Sequence, residues 1–329
     1  MKLTKIYAFS LVLMLLLLAA CGKDTPTPAV PTATPTEAAT PTATAVPASL
    51  LLVDPGGLVP QDVTGVLQSF AGANGLNYWA NADLNTSLDG VKIAVVFGDA
   101  EAFKEQTAAH PETQFLFIGA TTAAASGNVS LIRQRPQDLY FMAGYLATLT
   151  AEDWRAGGLL AGGALPAESV GDAFENGGRY VCGQCSPVYP PYMSYPVYQD
   201  VSGKASAADL AADVNALAVN KVATAFVGAS ADLPEVLDTL ETNGALLIGE
   251  NAASANAARY AAILGYSAGS TLEGMLPNLL AGQGGQSALS RVVLVAVNNA
   301  DKITPARQGM FATTAEALAN DWIIPLSVQ

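Results

Sequence analysis

From Ser49 onward the chain alternates short apolar runs with amphipathic segments. "SLLLVDPGG" (49–57) is an apolar run closed by Asp54-Pro55-Gly56, and a helical stretch follows near 61–72. "VKIAVVFGD" (91–99) and "QFLFIGA" (114–120) repeat the pattern around a helix-like "AEAFKEQTAAHPE". Unbroken runs of Val, Ile and Leu mark strands whose two faces are both covered, as in parallel sheets flanked by helices. "NVSLIRQR" (128–135) and "RAGGLLAGG" (155–163) read as further strands. Between them, "PQDLYFMAGYLATLTAED" (136–153) places Leu139, Met142, Leu146 and Leu149 on one helical face, with Pro136 suited to the first turn.

The second half continues in the same way. "ASAADLAADVNALAVNK" (205–221) sets Leu210, Val214 and Leu217 on one face, and "TAFVGAS" (224–230) follows as a strand. In "DLPEVLDTLETNGALLIGEN" (232–251) Asp232 is expected to cap a helix that Asn243-Gly244 ends in a left-handed turn, with the next strand at Ala245–Gly249. "YAAILGYSAGSTLEGMLPNLLAG", "RVVLVAVNNAD" and a helical "ARQGMFATTAEALAND" close the series. The alternation implies an α/β architecture of doubly wound parallel sheets, and the length of the body suits two lobes. Ligands in such sheets sit outside the carboxyl ends of the strands, which directs attention to Asp54, Gly98-Asp99, Gly119 and Gly249-Glu250.

The first residues have a different pattern. Lys2 and Lys5 precede an apolar stretch from Ile6 to Ala20 broken only by Ser10. That is short of the roughly 20 residues of a spanning helix and suits a secretory leader. Leu18-Ala19-Ala20-Cys21-Gly22 resembles the lipobox of bacterial lipoproteins, in which the leader is cut before a Cys that becomes lipidated. Residues 1–20 are thus expected to be a lipoprotein signal peptide, although an ordinary cleaved leader with an incidental Cys is the plainer alternative. Residues 21–48 are then a lipidated Cys21 and a Thr/Pro-rich linker. The linker lacks large apolar side chains to offset the cost of ordering it, and its prolines favour an extended spacer. The protein is expected outside the cytoplasm, anchored to the cell membrane by Cys21.

Composition narrows the function. The chain is 51% hydrophobic, enough for a substantial core, and its formal net charge is −13 with no Lys/Arg cluster. A nucleic acid polymer is therefore not an expected partner, and an acidic body would be repelled by anionic lipid, leaving the anchor as the membrane link. Besides Cys21 there are Cys182 and Cys185, in "VCGQCSP". In an exported protein a local disulfide is the default; a redox-active pair would need its first Cys at a helix N-terminus, and the prolines that follow forbid a sustained helix there.

"GYSAG" (265–269) matches the G-x-S-x-G nucleophile elbow and lies between a strand and a helix, making Ser267 a candidate nucleophile. The arrangement needs a His after the serine, and the only His in the chain is His110, upstream at a helix end. The plainer reading makes Gly265 and Gly269 a turn feeding a helix. Gly157-Gly158 and Gly162-Gly163 have no dinucleotide or P-loop spacing, and one His without an H-E-x-x-H argues against a catalytic metal. No enzyme activity, cofactor or metal is expected; an exported, two-lobed, anchored body points to binding.

"PQDLYFMAGYLATLTAEDWRAGGLLAGG", followed by "VYQDVSG", "NKVATAFVGAS", "NGALLIGEN" and "LANDWIIPLSV", resembles in order the basic membrane protein family of ABC-transporter substrate-binding lipoproteins. The resemblance implies a type I periplasmic-binding fold, two α/β lobes joined by hinge crossovers, closing on a small ligand, often a nucleoside, for an ABC permease. The expected lobes are 49–152 with 252–284, and 153–251 with 285–329. Carried over, Asp54 ends the first strand at the cleft, whereas Asp99 comes from the strand-end rule alone. Tyr198 takes the place of a base-stacking aromatic, Asp200 completes its motif, and Glu250 replaces an Asp that accepts from ribose hydroxyls. Asp54 and Glu250 equally suit solvated loops, and Tyr198 a rim or the core. The sequence departs from the family pattern in three places: no Phe-Asn after Asp54, Gly119-Ala120 where a carboxylate is expected, and no lysine shortly after Ser267. These departures bear on the ligand. A surface sensor or interaction lipoprotein that kept the fold without transport is the alternative.

Overall fold

The computed structural model describes residues 47–326, apart from 56–58, 82, 84–86, 120–122, 163–164 and 251. Cys21, the leader and most of the linker lie outside the described residues. Among the described residues no helix is long and apolar enough to cross a membrane. The first lobe is a six-stranded parallel sheet built from β1 (Ser49–Val53), β2 (Asn77–Asn81), β3 (Val91–Phe97), β4 (Gln114–Gly119) and β5 (Val129–Arg133), completed by β11 (Ser287–Leu289). Its strand order is β11-β5-β4-β3-β1-β2. Helix α1 (Gln61–Ala73) joins β1 to β2, and α2 (Lys104–Ala109) joins β3 to β4. Alternate residues of β1 serve the two faces: Leu50 and Leu52 pack with Val63 and Leu67 of α1, Leu51 and Val53 with Phe115 and Phe117. A strand used on both sides must be apolar throughout, and every residue of β1 is buried.

The second lobe opens with α3 (Pro136–Thr150). It continues through β6 (Ala156–Leu160), α4 (Ala167–Cys182), β7 (Val197–Asp200), α5 (Ala207–Val219), β8 (Thr224–Val227), α6 (Pro234–Thr242), β9 (Leu246–Gly249) and β10 (Ala262–Ser267). Helix α7 (Gly269–Leu280) packs on the first lobe, while β12 (Arg291–Val297) and α8 (Pro305–Ala319) return to the second. The second sheet runs β12-β10-β9-β8-β6-β7, parallel except for β12, which pairs antiparallel with β10. Two doubly wound, mostly parallel sheets are what the strand–helix alternation implies.

The lobe boundaries fall elsewhere than expected. Helix α3 was assigned to the first lobe, yet Phe141, Met142 and Leu146 pack with Phe174, Phe226 and Ile248 of the second. Strand β10 belongs to the second sheet because it pairs with β9 and β12, and β11 to the first because it pairs with β5. The one-sided face expected for α3 is also revised: Leu139 to Ala147 is buried throughout, since α4 and α8 pack against it as well as the sheet. Asp232 does not cap α6, whose N-cap is Leu233; its Oδ1 accepts from Tyr260 (2.8 Å) and Asn256 (3.0 Å).

The links between lobes position the site. Gln134-Arg135 joins β5 to α3, Ala268 joins β10 to α7, and Ser290 joins β11 to β12. Each link leaves the carboxyl end of a strand, and a residue spans at most about 3.6 Å. The carboxyl edges of the two sheets are therefore tied to each other. Hydrogen bonds brace the crossings: Ser290 N–H to Arg133 O (2.8 Å) and Tyr266 Oη–H to Arg135 O (3.1 Å).

Candidate functional site

In the first sheet, strand order reverses at β1, which has β2 on one side and β3 on the other. The crevice of such a sheet lies at this switch point, where Asp54 follows β1 and Gly98-Asp99 follows β3. Asp54 Oδ2 accepts the Val59 N–H (3.1 Å), and Asp99 Oδ1 accepts that of Glu101 (3.2 Å), so both carboxylates shape loops of their own lobe. Next along the edge, Gly119 of β4 stands in register with Arg133 of β5. The Arg133 side chain reaches the loop after β4, where Nη2 donates to Ala123 O (2.7 Å).

The second sheet reverses at β6, between β7 and β8. Leu160 is level with Asp200, and Val227 with Gly249, so Asp200 and Glu250 end strands on the same edge. Glu250 is half-buried, and its Oε1 accepts the Ala229 N–H (2.6 Å) in the turn after β8. Burial pushes its carboxyl above the usual range, and the Ala229 bond offsets that only in part. Asp200 Oδ1 accepts from Ser202 N–H (3.0 Å) in an Asx turn. Tyr140 of α3 donates its hydroxyl to Ala161 O at the switch point. Its phenol is pushed up by burial first, then by the charges of Glu250 and Asp200. Tyr198 lies one strand-face partner before Asp200, half-buried, with its ring tip against Gly171 of α4 and the second-lobe core.

Two residues of this edge-to-edge region, Arg133 and Tyr140, were not singled out from the sequence. Arg133 was inside a predicted strand whose last residue could have been counted among the carboxyl ends. Tyr140 comes from a helix, and no strand-end rule would find it.

The other candidates fall apart. Ser267 closes β10 at the carboxyl edge, and its hydroxyl donates to Asp62 Oδ2 (2.6 Å) while accepting from Gly269 N–H (3.3 Å). His110 caps the C-terminus of α2, just before β4 begins, at the opposite edge of the first sheet, and faces Glu112 (3.5 Å). The elbow is a strand-to-helix turn at a lobe crossing. Cys182 and Cys185 are joined by a disulfide with Cα atoms 5.0 Å apart, at the C-terminal end of α4. Among the described residues no group of three His, Cys, Asp or Glu is placed to hold a metal.

No protein-family profile matches the chain, and no curated protein matches it. Solved structures do. An ABC transporter system solute-binding protein from Conexibacter woesei DSM 14684 superposes with a TM-score of 0.59 at 16% identity, over 84% of this chain and 98% of that one. A transcriptional activator of the comK gene from Bacillus halodurans gives 0.55 at 14% identity, over 84% and 99%. The chain has the two-lobed α/β fold of periplasmic-binding-type proteins; at these identities the likeness is one of fold.

Proposed function

We propose that this chain is an extracytoplasmic solute-binding protein, anchored through a lipidated Cys21, that closes two lobes on a small ligand and presents it to an ABC permease. The observation that carries the reading is the joining of two parallel sheets, carboxyl edge to carboxyl edge, through links of one or two residues. Asp54, Asp99 and Arg133 then stand on one wall, and Tyr140, Asp200 and Glu250 on the other. Closure completes such a site, because a ligand touching both walls binds the closed form better than the open one. The name of the Conexibacter neighbour supports transport, and the residues from Leu139 to Gly163 support the basic membrane protein family. Tyr198 and Asp200 are its aromatic-x-Asp pair, and a nucleoside is the family's ligand. Small-angle scattering of the full lipoprotein in detergent, across nucleosides, sugars and amino acids, tests this: the binder should shrink the radius of gyration, and no response to any class would refute it. Mass spectrometry of the N-terminal peptide from cells tests the anchor, expected as an acylated Cys21.

The transcriptional activator among the neighbours favours a second reading, a surface sensor of the same fold. Deleting the protein separates the two: a transport component's loss abolishes solute uptake, whereas a sensor's loss changes gene expression with uptake intact.

A further inference from the structure

We infer that the cleft is built for a small zwitterion, a neutral α-amino acid or a close analogue, with its carboxylate on Arg133 and its ammonium on Glu250. This rests on the solute-binding reading and names its substrate class.

Arg133 is a half-buried guanidinium at the carboxyl edge of the first sheet. Its one hydrogen bond among the described residues goes to the neutral Ala123 carbonyl; its Nε–H is buried without an acceptor, and it makes no ion pair there. The adjacent strand ends in Gly119, which brings no side chain to it. Glu250, on the opposing edge, mirrors this. It is half-buried, holds one backbone N–H and makes no ion pair among the described residues. Several other partly buried charges are matched, Arg135 with Asp138, Arg155 with Asp153 and Lys204 with Asp213, whereas Arg291, half-buried at the start of β12, makes no ion pair among the described residues. A partly dehydrated charge is costly until it meets its opposite. Arg133 and Glu250, on walls joined by links of one or two residues, are both answered by a ligand that carries a charge of each sign. Guanidinium suits a carboxylate in a paired, planar contact, and a carboxylate accepts from ammonium.

Isothermal titration of the full-length lipoprotein in detergent tests this with L-alanine and L-leucine, their amides, the matching carboxylic acids, adenosine and D-ribose. A zwitterion should bind, and its amide and its desamino acid at least tenfold more weakly. Arg133→Gln should abolish the preference over the amide, and Glu250→Gln the preference over the desamino acid. Each variant is first checked for wild-type circular dichroism, with Arg133→Lys as the charge-retaining control. Binding of adenosine or ribose without a response to either amino acid overturns the zwitterion and leaves the solute-binding reading standing. Scattering that shows the lobes closed without any ligand, through a direct Arg133–Glu250 pair, overturns it as well. No binding by any compound refutes both.

Discussion

The Ser267 hydroxyl donates to Asp62 Oδ2 at 2.6 Å, joining the last residue of a second-lobe strand to the first turn of α1 in the first lobe. The serine of a G-x-S-x-G motif is thus spent on fastening a crossing. With its proton directed at a carboxylate and His110 at the far edge of the first sheet, no imidazole accepts from it. A fluorophosphonate probe should leave Ser267 unlabelled, as judged by peptide mass spectrometry. Labelling that disappears in Ser267→Ala would overturn the assignment of the motif to the hinge. The same variant should lose about 1 kcal/mol of stability in urea, the worth of one such hydrogen bond.

Helices α3 and α4 meet backbone to backbone. A Cβ on Gly144 would overlap the Phe174 carbonyl, and one on Gly177 would overlap that of Phe141. Both obstacles are main-chain atoms, which cannot move without shifting a helix. Gly144→Ala and Gly177→Ala should each cost about 1–3 kcal/mol or more, the range for overpacking a filled core. Gly72→Ala, at a helical site open within 4 Å, is the control and should be neutral or mildly stabilising by thermal melts.

These glycines also show what the sequence made legible. Continuous apolar strands such as Leu50–Val53 and Ile93–Val96 revealed the parallel sheets, because burial on two faces leaves no polar position. Helix α4 went unseen: Gly171, Gly177 and Gly178 lower its intrinsic propensity, and close packing supplies what propensity does not. The edge residues β2 and β11 were missed as well, being short and mostly half-exposed. Lobe membership was misjudged because a helix following a crossing carries no local mark of which sheet it will cover. Of the site, Asp54, Asp99 and Glu250 follow from the strand-end rule and Asp200 from the family resemblance, while Arg133 and Tyr140 needed the register and the fold.

Arg135 holds the first crossing. Its Nε donates to Asp138 Oδ1 (2.7 Å), Nη1 to Asp321 Oδ1 (2.6 Å), and Nη2 to Leu318 O (2.9 Å), tying the β5–α3 link to the end of α8. Asp138 is 2% exposed, so Arg135→Met would leave a buried carboxylate unmatched. A loss of about 3–5 kcal/mol is expected in urea titration. Arg135→Met with Asp138→Leu should recover most of it, since an apolar pair leaves no stranded charge. Equal losses in the single and double variants would show that the pair is not what holds the link.

Glu250 gives the body a pH dependence of defined sign. Burial raises its folded-state pKa above that of the unfolded chain, so the native protein binds the proton more tightly than the unfolded chain does. Its contribution to stability is fully present below the ordinary glutamate value, about 4.3, and is lost as pH rises through the raised folded value. Glu250→Gln keeps an oxygen to accept the Ala229 N–H and has no charge to bury. The ligand-free variant should therefore melt higher than wild type at pH 8, with the gap closing toward pH 4. A gap that is constant with pH, or that reverses sign, would mean the carboxylate is already well solvated or matched in the folded protein. The better stability of the variant should accompany weaker ligand binding, because the unmatched charge that strains the empty cleft is the one a bound ammonium answers.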